Sequence, residues 1–140
     1  MRRIAYMATF KGSAAPSNEA GTELKARTRA ASVVPLDGSE LPSGIAYEAE
    51  FESIVALGAD GRFQERGSID HGGGNVLHFS ELSPGLMAPA PDGRSAGAID
   101  WKVDSGTGVF AGASGYITSN FSVDQAGGVV DHQVASILLA

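Results

Sequence analysis

Apolar and polar residues alternate along most of the chain, and this alternation predicts eight β-strands. They run over Ile4–Gly12, Thr22–Val34, Ile45–Leu57, Arg62–Asp70, Asn75–Leu82, Ser95–Val103, Gly115–Val123 and Val129–Leu139. In the second, Glu23, Lys25, Arg27 and Arg29 share one parity and Leu24, Ala26, Thr28 and Ala30 the other. Its residues are good helix formers, so a helix over Glu19–Ala31 competes. The strict alternation and the poor apolar face at helical spacing favour the strand. The third is the clearest, with Ile45, Tyr47, Phe51, Val55 and Leu57 on one face and Glu48, Glu50 and Glu52 on the other.

Parity also sets register. A three-residue loop after Gly58, with Gly58 opposite Arg62, places Leu57 against Phe63 and Phe51 against Ile69. A two-residue loop would set an apolar face against a charged one, because a one-residue slip flips every side chain. A turn centred on Gly73 then sets Ile69 against Leu77, Gly67 against Phe79 and Glu65 against Glu81. Ser83–Arg94 reads as the longest loop, with three of the six prolines and with Leu86 and Met87 at its middle. It is expected beside one barrel mouth as a partial lid. Regular short strands, turn signals and no clear helix predict an all-β domain, a closed eight-stranded antiparallel barrel over residues 1–140.

The stretch Asp104–Tyr116 holds glycines at 106, 108, 112 and 115 around one large apolar side chain, Phe110. It predicts a tight corner with Phe110 pushed inward as a plug. Gly-Thr-Gly-Val-Phe-Ala-Gly-Ala-Ser-Gly, residues 106–115, resembles the glycine-rich signature of the allene oxide cyclase and dirigent-protein barrels, including small bacterial members of unknown function. The resemblance covers about a dozen residues and implies an antiparallel barrel with an apolar cavity, usually oligomeric. It transfers no activity, since function lives in the site, but it motivates the hypothesis of a cyclase or isomerase acting on a lipophilic molecule.

Composition narrows the picture. There is no cysteine, hence no disulfide or thiol chemistry. Ten Lys+Arg against sixteen Asp+Glu give a net charge of −6, which disfavours nucleic acid and anionic membrane as partners. No segment has the length or apolarity of a signal peptide or a membrane span, so a cytoplasmic location is expected, with Met7 an alternative start. A homodimer or homotrimer is expected, because outward apolar residues need covering.

Glu65 and Glu81 are the candidate catalytic residues. Both fall on the apolar parity of their strands, and two carboxyls in an apolar cavity cannot both ionise cheaply. That arrangement suits general acid–base chemistry; at a wet mouth it is only a polar rim. Tyr47, Phe51, Phe79, Trp101, Tyr116 and Asn120 are candidate substrate-binding residues, the aromatics as pocket walls or as plain core. Tyr116 and Asn120 share a face that is either ligand-orienting or solvated. His71, His78 and His132 lack metal-ligand spacing, so no metal is expected. Asp70–His71 and Asp131–His132 are sequence neighbours that point to opposite faces of a strand. Gly106-Thr-Gly108 precedes a strand rather than a helix, which excludes a dinucleotide fingerprint; no cofactor is expected. Three functions remain open: a cyclase or isomerase, a binding barrel for an apolar metabolite, and a structural barrel filled by its own side chains.

Overall fold

The structure is a computed structural model and describes residues 1–43, 45 and 48–140. Ten strands form one antiparallel sheet: β1 (Arg2–Pro16), β2 (Glu23–Ala30), β3 (Val33–Pro35), β4 (Ala49–Leu57), β5 (Arg62–Asp70), β6 (Val76–Glu81), β7 (Gly85–Pro89), β8 (Ser95–Gly106), β9 (Ser114–Val123) and β10 (Gly128–Leu139). Eight of them, in the order β1, β2, β4, β5, β6, β8, β9 and β10, close into a barrel when β10 pairs back onto β1. Closure removes both sheet edges. The other two, β3 and β7, are short additions against β1 and against β5 and β8.

The registers argued from parity hold. Phe51 faces Ile69, Leu57 faces Phe63, Ile69 faces Leu77 and Gly67 faces Phe79. Gly58 N–H donates to Arg62 O at 2.8 Å, closing the three-residue loop. Gly72, Gly73 and Gly74 all take positive φ, which an L side chain tolerates poorly, and His71 N–H donates to Asn75 O across that turn. Residues Glu23–Ala30 form strand and not helix, with Ala26, Thr28 and Ala30 turned inward and buried.

Three expected boundaries differ. The second predicted strand ends at Ala30, and Val33–Pro35 returns separately as β3. The third begins at Ala49; Ile45 precedes it, and Tyr47 lies outside the described residues. The expected lid over Ser83–Arg94 is corrected: Gly85–Pro89 is strand β7, with Leu86 and Met87 facing Ala98 and Gly97 of β8. The segment continues the line of β6 after a break at Leu82–Pro84, so its prolines mark ends of ladder pairing rather than a free loop.

Inward residues of all eight barrel strands fill the interior. Phe51, Phe79 and Trp101 stack within it, with ring centroids 5.5 Å apart for Phe51–Trp101 and 4.1 Å for Phe79–Trp101, and Phe10 lies tilted against Phe51 at 6.0 Å. The glycine corner closes one end. Gly108–Phe110 forms a 3₁₀ turn, and the Phe110 side chain is wholly buried against His71, which lies at 5.3 Å and itself reaches Tyr6 Oη at 3.1 Å. Gly108 has a φ of +60°, and a Cβ there would collide with Asn75 Oδ1. That oxygen accepts from Val109 N–H at 2.9 Å, so the corner is docked onto the Gly72–Gly74 turn. Among the described residues no helix is long and apolar enough to cross a membrane.

Candidate functional site

The opposite end of the barrel stays open. The strand ends around the Gly58–Gly61 turn, the 17–22 loop and the 124–127 turn frame a cavity of about 50 Å³. Its rim is formed by half-buried Leu24, Val55, Met87, Phe121 and Val123, and its deeper part by Phe51, Phe63, Glu65, Ser119 and Asp131. Phe63 and Phe121 meet edge to face at 5.6 Å. They fit because Gly85 and Gly97 stand behind them; a Cβ at either position would strike a ring.

Glu65 projects inward from β5 and is nine-tenths buried. Ser53 Oγ, from β4, donates to its Oε2 at 2.5 Å. Burial pushes the Glu65 carboxyl up to about 7; the Ser53 bond and the neighbouring Trp101 indole pull it back, and the negative charge of Asp131 raises it further. Trp101 Nε1 is itself buried, close enough to favour the charged carboxyl but without a hydrogen bond of normal geometry among the described residues. Asp131 projects inward from β10. Burial raises its pKa too, but its two oxygens accept from Ser119 Oγ at 2.6 Å and from Gln133 Nε2 at 2.9 Å. Two donors favour its charged form and oppose that rise, and with Glu65 nearby the two buried carboxyls cannot both ionise cheaply.

Glu81 plays a different part. It is half-buried, and its Oε2 accepts from the backbone N–H of Glu65 at 3.2 Å. Ladder pairing between β5 and β6 stops at Arg66–Ser80, so this carboxylate replaces the carbonyl that a continuing β6 would have offered. The two glutamates are therefore neighbours, as parity argued, but they do not share the cavity: Glu81 is the last of the influences on the Glu65 carboxyl.

Of the expected substrate-binding residues, Phe51 lines the cavity, while Phe79 and Trp101 belong to the aromatic stack. Tyr116 and Asn120 are a correction. They lie exposed on the outer face, because Ile117 and Ser119 take the inward positions of β9. Tyr47 lies outside the described residues. Asp131, Ser119 and Gln133 were not singled out by the sequence reading, yet their signal was present. Val129, Asp131, Gln133, Ala135, Ile137 and Leu139 share one parity, the pattern that singled out Glu65. Among the described residues no group of three or more histidine, aspartate or glutamate side chains is arranged to hold a metal ion.

Fold and site together define a closed antiparallel β-barrel, plugged at one end and open at the other onto an apolar cavity that carries two buried carboxyls. Comparison with protein-family models, with curated proteins and with solved structures gives no match.

Proposed function

We propose that the barrel binds a small lipophilic molecule in its open end and that Glu65 moves a proton on it, as a cofactor-independent isomerase or cyclase would. One observation carries this reading: Glu65 is buried on the wall of an apolar cavity with its carboxyl raised to about 7. A group that titrates near neutrality exchanges protons with least cost in either direction. The apolar rim holds the body of the molecule and excludes water, and the rate gain comes from orientation in a dry site. The resemblance of residues 106–115 to the allene oxide cyclase signature points the same way.

A second reading, a binding barrel without turnover, is favoured by the cavity volume of about 50 Å³, which suits one end of a ligand rather than a whole reacting molecule. Native mass spectrometry of the purified chain identifies what it carries. Glu65→Gln separates the two readings: for the catalyst, turnover of that molecule disappears while the fold and binding persist. Retained turnover in a folded Glu65→Gln variant removes Glu65 from the chemistry.

The homodimer or homotrimer is part of the same proposal. Val34, Met7 and Val134 form an exposed apolar row across β3, β1 and β10. A stable interface there buries about 800 Å² per partner. Light scattering at micromolar concentration is expected to give a multiple of the 14.3 kDa chain mass, and a monomer mass overturns it.

A further inference from the structure

The open cavity is chemically one-sided. Two carboxyls and a serine hydroxyl supply its polar side-chain atoms, and among the described residues no lysine, arginine or histidine lines it. The neighbouring strands present to Glu65 the side chains of Ser53 from β4, Glu81 from β6, Trp101 from β8 and Asp131 from β10; none is a cation. A buried carboxylate without a counter-charge is costly, and the charge of a second one nearby adds to that cost. Asp131 has a donor on each oxygen. Glu65 has one, on Oε2, and no hydrogen bond within the described residues engages its Oε1. The Trp101 indole N–H is buried beside Glu65, forms no hydrogen bond of normal geometry among the described residues, and favours the charged form of that carboxyl. It is a donor positioned for an ionised Glu65. The wall is thus fitted for a carboxylate whose counter-charge the protein does not provide.

We infer that the ligand provides it: the molecule taken by this cavity is a lipophilic amine, bound head-first as its ammonium between Glu65 and Asp131. The inference rests on the reading of the open end as a small-molecule site and names the chemistry of its ligand. An ammonium has three donors and no acceptor, which matches Glu65 Oε1 and the remaining lone pairs of Asp131 and Ser119. Charge-assisted bonds of this kind are the strong ones, and they strengthen away from water. The cavity of about 50 Å³ takes a head of that size, given that a water occupies about 30 Å³. The apolar body then lies among Leu24, Met87, Phe121 and Val123. A fatty-acid carboxylate entering head-first would add a negative charge beside two carboxyls that already resist ionising together. Bound ammonium also displaces the Glu65 proton, so the amine complex holds Glu65 in the base-competent form.

Three probes of equal length test this on the full chain: n-hexylamine, n-hexanol and hexanoate, titrated at pH 6 and pH 8. The chain has a single tryptophan, Trp101, so its fluorescence reports on the site, with amide shifts of residues 65 and 131 as a second readout. Hexylamine is expected to bind at least about tenfold tighter than hexanol at pH 8, the yield of one charge-assisted hydrogen bond. Hexanoate is expected to bind weakest. The advantage of the amine over hexanol shrinks at pH 6, where Glu65 keeps its proton, and Glu65→Gln removes about tenfold of that advantage. If Glu65→Gln does not fold, Asp131→Asn is expected to show the same selective loss, and the ranking on the unaltered chain stands without either variant. Hexanol binding as tightly as hexylamine, or hexanoate binding best, overturns the amine assignment and leaves a small-molecule site. No response to any probe at millimolar concentration overturns that site as well.

Discussion

Phe110 is the residue on which the closed end depends. It has no exposed surface, touches His71, and stands where Gly106 leaves it room. Phe110→Ala is expected to lower the unfolding free energy by about 3–5 kcal/mol in denaturant melts, the range for truncating a buried aromatic. A loss below about 1 kcal/mol would place it at the surface. Its burial was legible in the sequence, since a single large apolar side chain among four glycines has nowhere to go but inward. The inward position of Glu65 was legible for a related reason, the parity of Phe63 and Ile69 around it. Its true counterpart, Asp131, was missed because attention went to its sequence neighbour His132, which lies on the outer face and bonds Thr9 Oγ1 instead.

Among the elements, the break between β6 and β7 is where sequence reasoning gave least. Three prolines read as a loop, whereas the chain leaves the sheet only at Leu82–Pro84 and then resumes the same line. Proline forbids donation to a ladder, not extension alongside one, and β7 is short enough to accept that limit. The registers of β4, β5 and β6 were legible because each turn is short and each strand has one buried face. The break leaves the Glu65 N–H without a strand partner, and Glu81 supplies one. Glu81→Ala should therefore cost about 1–2 kcal/mol, the range for stranding a partly buried donor. Glu81→Gln keeps an acceptor and should stay within about 0.5 kcal/mol of the unaltered chain. Thermal melts compare the two, and hydrogen exchange of the residue 65 amide reports the bond directly. Equal stability of the alanine and glutamine variants would show that the bond carries no weight.

At the scale of the molecule, two buried titratable groups at opposite ends of the barrel act against each other. Glu65 holds its proton up to about 7, whereas the unfolded chain releases it near 4.5. Between those values the folded chain binds more protons, so stability falls as pH rises, by about 3 kcal/mol in all. His71 is the reverse case. Burial keeps it neutral down to about 4, whereas the unfolded chain protonates it near 6.5. Over that window the unfolded chain binds more protons, and stability rises with pH by a similar amount. The two slopes oppose each other between about 4.5 and 6.5, so this pair contributes a plateau there, tilted downward by the raised Asp131. Across pH 4 to pH 8, denaturant midpoints are expected to fall with pH less steeply in Glu65→Gln than in the unaltered chain, and more steeply in His71→Asn. Parallel pH profiles for the two variants would mean that neither group titrates as its burial requires.

The plug at Phe110 makes the barrel a vessel with one opening. A ligand of the kind proposed would enter and leave by the same route, with only its leading end read. Each methylene between the floor and the rim formed by Leu24 and Val123 adds about 0.8 kcal/mol of burial, and each one beyond the rim adds almost nothing. Such a vessel measures chain length only up to its own depth. On the proposed reading it would discriminate among head groups and among short tails, and treat all longer tails as equals.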